Sequence, residues 1–298
     1  MEYIEKKPPV PLIPPNRLFP ASNNNDIPIT ITKWIVRSYL SYLITGDQGC
    51  GKSTFQKSIV RYYDPSAAIR TNEIRPELNL RYAYPERNIV AFYETSRMSM
   101  QDGLNFQKKT SGVVNIIGEI ASAEAACHWV QTTKVASKAG AGTHHGKTID
   151  DTITALRDNI VQVAHFTDPN AVEVMVAEAL DFDIHMCKEG KIRFNERITE
   201  VTPVKQRLYP YPDYHALTEG NIPMAQKVNE LEYYARMTDR KNYTTKNICE
   251  YDREAKRYVF TNMFSEPKIA EIKRSLPKQV YEMFEKDMDR LLSYNRSA

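Results

Sequence analysis

Between Tyr42 and about Val204, short unbroken apolar runs alternate with stretches where apolar residues recur every three or four positions. The unbroken runs predict strands at Tyr42–Thr45, Asn88–Tyr93, Val113–Ile117, Ala139–Thr143, Phe182–Met186 and Ile192–Phe194. The periodic stretches predict helices at Lys52–Tyr62, Ala121–Thr132, Thr148–His165 and Asn170–Leu180. Strands that are apolar throughout, rather than at every second residue, belong to a sheet covered on both faces. Helical crossovers between them make that sheet mostly parallel. The fold class is therefore α/β, and Lys188-Glu189-Gly190-Lys191 turns its last two strands into a hairpin.

The flanks read differently. Pro8, Pro9, Pro11, Pro14, Pro15 and Pro20, followed by Asn23-Asn24-Asn25, predict an irregular arm to about residue 30. Trp34, Ile35 and Leu40 then mark an ordered entry into the core. Beyond Thr202-Pro203, Tyr209-Pro210-Tyr211-Pro212 breaks regular structure, and residues 223–239 have a helical pattern. Ile248–Tyr251 and Arg257–Thr261 are suited to pair, and Pro277–Tyr294 predicts a helix. Its stripe of Val280, Phe284, Met288 and Leu291 is read as core packing or an oligomer contact. The expected division is an arm at 1–30, an α/β domain at 31–205 and an α-rich extension at 206–298.

Composition narrows the classes. The chain has 298 residues, 42% hydrophobic and 26% charged, which is ordinary for a globular protein with a real core. A net charge of +3 is too small to argue a nucleic-acid partner. Cys50, Cys127, Cys187 and Cys249 are scattered singly, which argues against a disulfide framework or a thiolate zinc site. No stretch approaches the ~20 apolar residues of a membrane span.

One motif carries most of the chemistry. Ile44-Thr45-Gly46-Asp47-Gln48-Gly49-Cys50-Gly51-Lys52-Ser53-Thr54 spells G-x-x-x-x-G-K-[ST], after a strand and before a helix. Gly46, Gly49 and Gly51 let backbone N–H groups turn inward around an anion, and the helix offers its positive end. Lys52 is the point charge for the outer phosphates, and the Ser53 hydroxyl is the expected ligand of Mg²⁺. The expected cofactors are ATP and Mg²⁺. Cys50 is read as a small filler in the loop.

Cleavage of the bound nucleotide needs a carboxylate at a neighbouring strand end. Val113–Ile117 leads to Gly118-Glu119, and Ile89–Tyr93 leads to Glu94. Both acids therefore stand where ligands of open α/β sheets bind. The third feature is Gly140–Thr143 followed by His144-His145. The six histidines lack H-E-x-x-H spacing, which argues against zinc.

The order of these elements resembles the secretion ATPase superfamily, the ring motors of type II and type IV secretion and of type IV and tight-adherence pili. Gly118-Glu119-Ile120 with Ala123-Glu124 resembles its Walker B signature, Ile89–Glu94 its acidic box and Thr143–His145 its histidine box. Asp181–His185 through Arg197–Val201 resembles its closing hairpin. Arg70–Glu73, Glu77–Arg81 and Gln107–Thr110 are similar to segments of Gram-positive pilus-assembly and conjugation-type members. The resemblance spans about residues 34–204.

It implies a RecA-like ATPase core. Lys52 and Ser53 would hold phosphate and Mg²⁺, Glu119 would complete the metal shell, Glu94 would orient water, and His145 would sense the γ-phosphate. It also implies a homohexamer, peripheral at the inner face of the cell membrane, acting on an integral membrane platform protein. Three departures stand out. Ala121 replaces the Arg that usually follows Gly-Glu-x, Tyr93-Glu94 offers one carboxylate where Glu-Asp is usual, and only about 40 residues precede the loop. The family's N-terminal domain is thus expected to be absent, truncated or supplied by a companion chain. Arginines from a neighbour would then come from Arg70, Arg75, Arg81 or Arg97. The alternatives are a P-loop motor on nucleic acid and a non-hydrolysing nucleotide-binding scaffold.

Overall fold

The computed structural model describes residues 26–110, 112–204, 223–224, 226–229 and 241–296. The arm before Asp26, the Tyr209–Pro212 break and most of the helical pattern at 223–239 lie outside the described residues.

The parallel strands are β1 (Tyr42–Gly46), β2 (Ile69–Glu73), β3 (Ile89–Tyr93), β4 (Val114–Ile117), β5 (Ala139–Thr143) and β6 (Phe182–Glu189). An antiparallel meander of β7 (Ile192–Pro203), β8 (Tyr243–Asp252) and β9 (Arg257–Phe260) continues the same sheet. The order is β3-β2-β4-β5-β1-β6-β7-β8-β9. After β1 the chain crosses to β2, moves out to β3 and returns through β4 and β5 to the side of β1. The loops leaving β1, β2, β4 and β5 consequently collect at one sheet edge, where parallel sheets place their ligands.

Every strand expected from the sequence is present, and β8 pairs with β9 as anticipated. Strand β2 is the addition. Its residues Ile-Arg-Thr-Asn-Glu are all buried, yet four of the five are polar. Apolar content cannot reveal such a strand.

Helices cover both faces. Helix α1 (Asp26–Arg37) and α2 (Lys52–Ile59) lie on one side with α8 (Glu266–Ser275) and α9 (Lys278–Arg296). On the other lie α5 (Ala123–Gln131), α6 (Ile149–Ala164) and α7 (Pro169–Ala179). Two short helices, α3 (Leu80–Ala83) and α4 (Met100–Lys109), sit near the β2–β3 edge. The regular helix begins at Asp26, earlier than the expected end of the arm, and contains Pro28. A proline in the first turn forfeits no intrahelical hydrogen bond, so it ends no helix there.

Side-chain caps fix several of the other starts. Ser122, Thr148 and Ser265 each accept a hydrogen bond from a backbone N–H in their helix's first turn. The stripe of α9 is core: Phe284, Met288 and Leu291 are buried and Val280 packs beside them. Phe284 meets Trp34 edge-on, with ring centroids 5.5 Å apart, and contacts Phe264 at 5.9 Å. Gly140 allows a close approach of helix to sheet. A Cβ there would lie 1.8 Å from the Thr133 hydroxyl oxygen, in the π-helical turn that follows α5.

Phe284→Ala removes a ring that seals α9 onto α1, and is expected to destabilise the fold by ~3–5 kcal/mol. Equilibrium denaturant unfolding checks this; a loss under about 1 kcal/mol would show that the stripe does not carry the core.

Candidate phosphate-binding site

The loop from Gly46 to Gly51 takes a conformation that its glycines make possible. Gly46, Gly49 and Gly51 have φ of 133°, 76° and 98°. A Cβ on Gly46 would stand 2.1 Å from the Met186 carbonyl oxygen, so no other residue fits. Helix α2 starts at Lys52 without a side-chain cap, leaving its first N–H groups free for an anion. A cavity of about 600 Å³ opens over this loop. It is lined by Gln48, Gly49 and Gly51 through Thr54, and by Glu77, Glu119, Thr143, His145 and Arg193. Asp47 contributes its carbonyl, and Cys50 is buried beneath the loop, where burial pushes its thiol pKa up. That position agrees with Cys50 as a filler and opposes a reactive thiolate.

Lys52 is the centre of the arrangement. Its ammonium donates to the carbonyls of Gly46 at 2.8 Å and Asp47 at 3.0 Å, and lies 3.3 Å from His145 Nδ1. Burial draws its pKa down, offset in part by Cys50, Glu119 and Asp47. His145 Nε2 is 2.9 Å from Glu119 Oε1. An ammonium can only donate, so Nδ1 accepts, and these contacts assign the imidazole proton to Nε2, facing Glu119.

Backbone and side-chain contacts hold the acid and the histidine side by side. Thr143 Oγ1 donates to the Gly118 carbonyl at 2.7 Å, and the Ile120 N–H donates to the Thr143 carbonyl at 2.8 Å. His144, pulled under the loop, lies 2.8 Å from the Ile120 carbonyl through Nδ1, and burial lowers its pKa. Of the two histidines, only His145 reaches the cavity.

A second acid enters from a direction the apolar pattern did not show. Ser53 Oγ donates to Glu77 Oε2 at 3.1 Å. Glu77 sits on the loop leaving β2, and Glu73 at the end of that strand holds the loop in place. Glu73 accepts the N–H groups of Glu77 at 2.9 Å and Leu78 at 2.8 Å, and the Thr71 hydroxyl at 3.3 Å. Burial raises the Glu73 pKa to about 7 despite those donors.

Glu94, the acid expected from β3, is not brought to the cavity. It is exposed at the end of the edge strand, beyond β2, and only its N–H touches the inner strand, donating to the Glu73 carbonyl at 3.0 Å. The acids facing Lys52 and Ser53 are Glu119 and Glu77. A length argument points to the missed strand. From Tyr63 to Arg87 the apolar pattern leaves a long connection without structure, and loops beyond ~12–15 residues are uncommon in compact domains. Among the expected arginines, Arg70 is buried in β2, where its guanidinium donates to the Ile69 carbonyl and Asn88 Oδ1. It cannot reach a neighbour. Arg75, Arg81 and Arg97 are exposed.

The floor under the loop is polar and closed. Thr45 Oγ1 donates to Asp183 Oδ1 at 2.6 Å and accepts from His185 Nδ1 at 2.9 Å. Burial raises the Asp183 pKa to about 6 and lowers that of His185 to about 4. His185 is thus neutral at pH 7, whereas Asp183, its pKa still below 7, carries most of its charge there.

The donors suit a hard cation shared with phosphate. A hydroxyl and two carboxylates face the cavity, and Mg²⁺ takes only one or two protein oxygens beside phosphate and water. Among the described residues no group of three or more His, Cys, Asp or Glu is placed to hold a metal ion. No described helix is long and apolar enough to cross a membrane.

No family model and no curated protein matches the chain. Solved structures do. The VirB11 ATPase from the Brucella suis type IV secretion system, in complex with sulphate, superposes with a TM-score of 0.51 at 15% identity, over 57% of this chain and 51% of that one. Weaker likenesses are to the Legionella pneumophila ATPase DotB, with a TM-score of 0.46 at 17% identity over 74% of this chain and 57% of that one. The pilus retraction motor PilT with bound ADP gives 0.47 at 18% identity, over 77% of this chain and 61% of that one. The chain thus spans about half the length of the VirB11 structure. What the chain shares with it is the RecA-like ATPase fold.

Proposed function

We propose that this chain is an Mg²⁺-dependent ATP-hydrolysing motor of the secretion ATPase type. In this reading it works as a homohexameric ring at the inner face of the cell membrane. It powers pilus assembly or conjugative secretion through an integral membrane platform protein. Residues 31–205 form the motor core and 206–298 extend it. The observation that carries the reading is the convergence of Lys52, the Glu119–His145 pair and the Ser53–Glu77 pair on one cavity.

Each group has a definable task. A triphosphate on the loop takes the Lys52 ammonium from the carbonyls of Gly46 and Asp47, exchanging neutral acceptors for charged ones. His145, between Lys52 and Glu119, feels that transfer directly. Mg²⁺, bound through Ser53 with Glu77 and Glu119 nearby, would supply charge neutralisation at the outer phosphates. For the Ser53 oxygen to face a cation, its proton must point away, and Glu77 is placed to accept it. Glu119, which lines the cavity and is linked to Lys52 through His145, is the carboxylate that would align water at the terminal phosphate. An arginine from a neighbouring subunit completes the charge balance, which makes activity depend on assembly.

Glu119→Gln and Glu77→Gln are expected to lower ATP turnover by about 100-fold or more, whereas Glu94→Gln stays within about twofold of wild type. Steady-state phosphate release measures all three; a collapse in the Glu94 variant alone would reverse the assignment of the acids. Absence of turnover in assembled wild-type protein would favour the non-hydrolysing scaffold.

Glu73 adds a pH signature. Its folded pKa of about 7 lies above the ordinary 4.5, so between those values the native state holds a proton that the unfolded chain has lost. Stability falls as pH rises through that window, and Gln cannot titrate. The stability of Glu73→Gln relative to wild type is therefore expected to improve between pH 5 and 8, by up to ~3 kcal/mol. Denaturant unfolding across that range checks it; a flat difference would mean that Glu73 is ionised in the native state throughout.

A further inference from the structure

Two cations of the β6–β7 hairpin face the phosphate loop with no acid among the described residues to answer them. Lys188 and Arg193 stand directly opposite one another in the hairpin register, so their side chains share one face. Arg193 Nε donates to the Gly49 carbonyl at 2.8 Å, and its Cδ lies 3.2 Å from where a Cβ on Gly51 would stand. Lys188 Nζ lies 3.9 Å from the corresponding point on Gly49. Like charges directly across a hairpin destabilise it. The acids of the same hairpin are committed elsewhere: Glu189 and Glu196 both pair with Arg253 in the β8–β9 turn, and Glu196 also pairs with Arg197. Among the described residues neither Lys188 nor Arg193 has a carboxylate within ion-pair distance.

We propose that Lys188 and Arg193 form a clamp, supplied by the same chain, on the α- and β-phosphates of the bound nucleotide. This rests on the nucleotide-binding reading above. The direction follows from the sheet order. Glu119 and His145 come from the β4 and β5 side of β1, and the hairpin comes from the β6 side. The terminal phosphate belongs with Lys52, Glu119 and His145, which leaves the diphosphate shared by ADP and ATP beneath the hairpin. Arg193 exchanges one neutral carbonyl acceptor for charged phosphate oxygens, and its unused N–H groups gain partners. The Arg253 ion pairs brace the hairpin so that both cations arrive together. The clamp is not the arginine a neighbour would supply, since it acts on the part of the nucleotide that does not leave.

The test is titration of the folded full chain with fluorescent ADP, followed by competition with unlabelled ADP and a non-hydrolysable ATP analogue. Arg193→Met is expected to weaken both by about tenfold or more, with their ratio unchanged. Lys188→Met is expected to weaken both by about threefold, as befits an exposed cation. Arg193→Lys recovers part of the loss, and remains informative should Arg193→Met unfold on circular dichroism. Normal wild-type binding with the arginine variants within twofold of it overturns the clamp alone. A loss confined to the ATP analogue also overturns it, by moving Arg193 to the terminal phosphate. Wild-type protein that binds neither nucleotide overturns the nucleotide reading, and the clamp with it.

Discussion

A nearly buried positive charge in contact with no negative one sits at the heart of this molecule. Lys52 is only 8% exposed, and the acceptors around it are two backbone carbonyls and a ring nitrogen. A carboxylate in direct contact would neutralise the ammonium and compete with any phosphate for it. The structure keeps its acids one step removed: Glu119 is reached through His145, and Glu77 through Ser53. The charge is sustained without being satisfied. That condition dictates where glycine, carboxylate and histidine stand.

The same logic runs through the layers beneath. Thr45, one residue before the glycine loop, ties two buried titratable groups together, and burial disfavours the charged form of each. Glu73 shows how a buried acid builds a loop. It spends its lone pairs on the N–H groups of Glu77 and Leu78, and so aims the next acid along the chain at Ser53. Loops that need an exact bend tend to be tied by side chain to backbone, because such bonds fix conformation without adding bulk.

Much of the architecture was legible because burial on both faces leaves a plain mark. Strands such as Tyr42–Gly46 and Val114–Ile117 are mainly apolar and wholly buried, and the glycine loop between strand and helix marks the anion site by composition alone. Glu119 and His145, which both line the cavity, could be singled out because each follows a strand. Strand β2 was not legible, since its core positions are filled by Arg70, Thr71, Asn72 and Glu73. These residues read as a loop until their hydrogen bonds are known. With β2 unread, the sequence offered Glu94 at the end of β3, whereas the acid that the structure brings to Ser53 is Glu77, on the loop leaving β2. The hairpin cations were unreadable for a related reason: their meaning lies in register against β6 and in reach over Gly49, neither of which is a property of local sequence.

The interlock of α1 with α9 bears on how the chain is made. Lys33 and the Trp34 indole both donate to Asp287, at 2.8 Å and 2.9 Å, partners some 250 residues apart. The helix leading into β1 therefore lacks this part of its cover until the far helix has left the ribosome, roughly 12–50 s later at ordinary elongation rates. A nascent chain of this design is its own hazard, with Trp34 and its neighbours open to other polypeptides and closure governed by long-range encounter. During that interval the nascent chain would be a natural client for chaperones that shelter apolar segments.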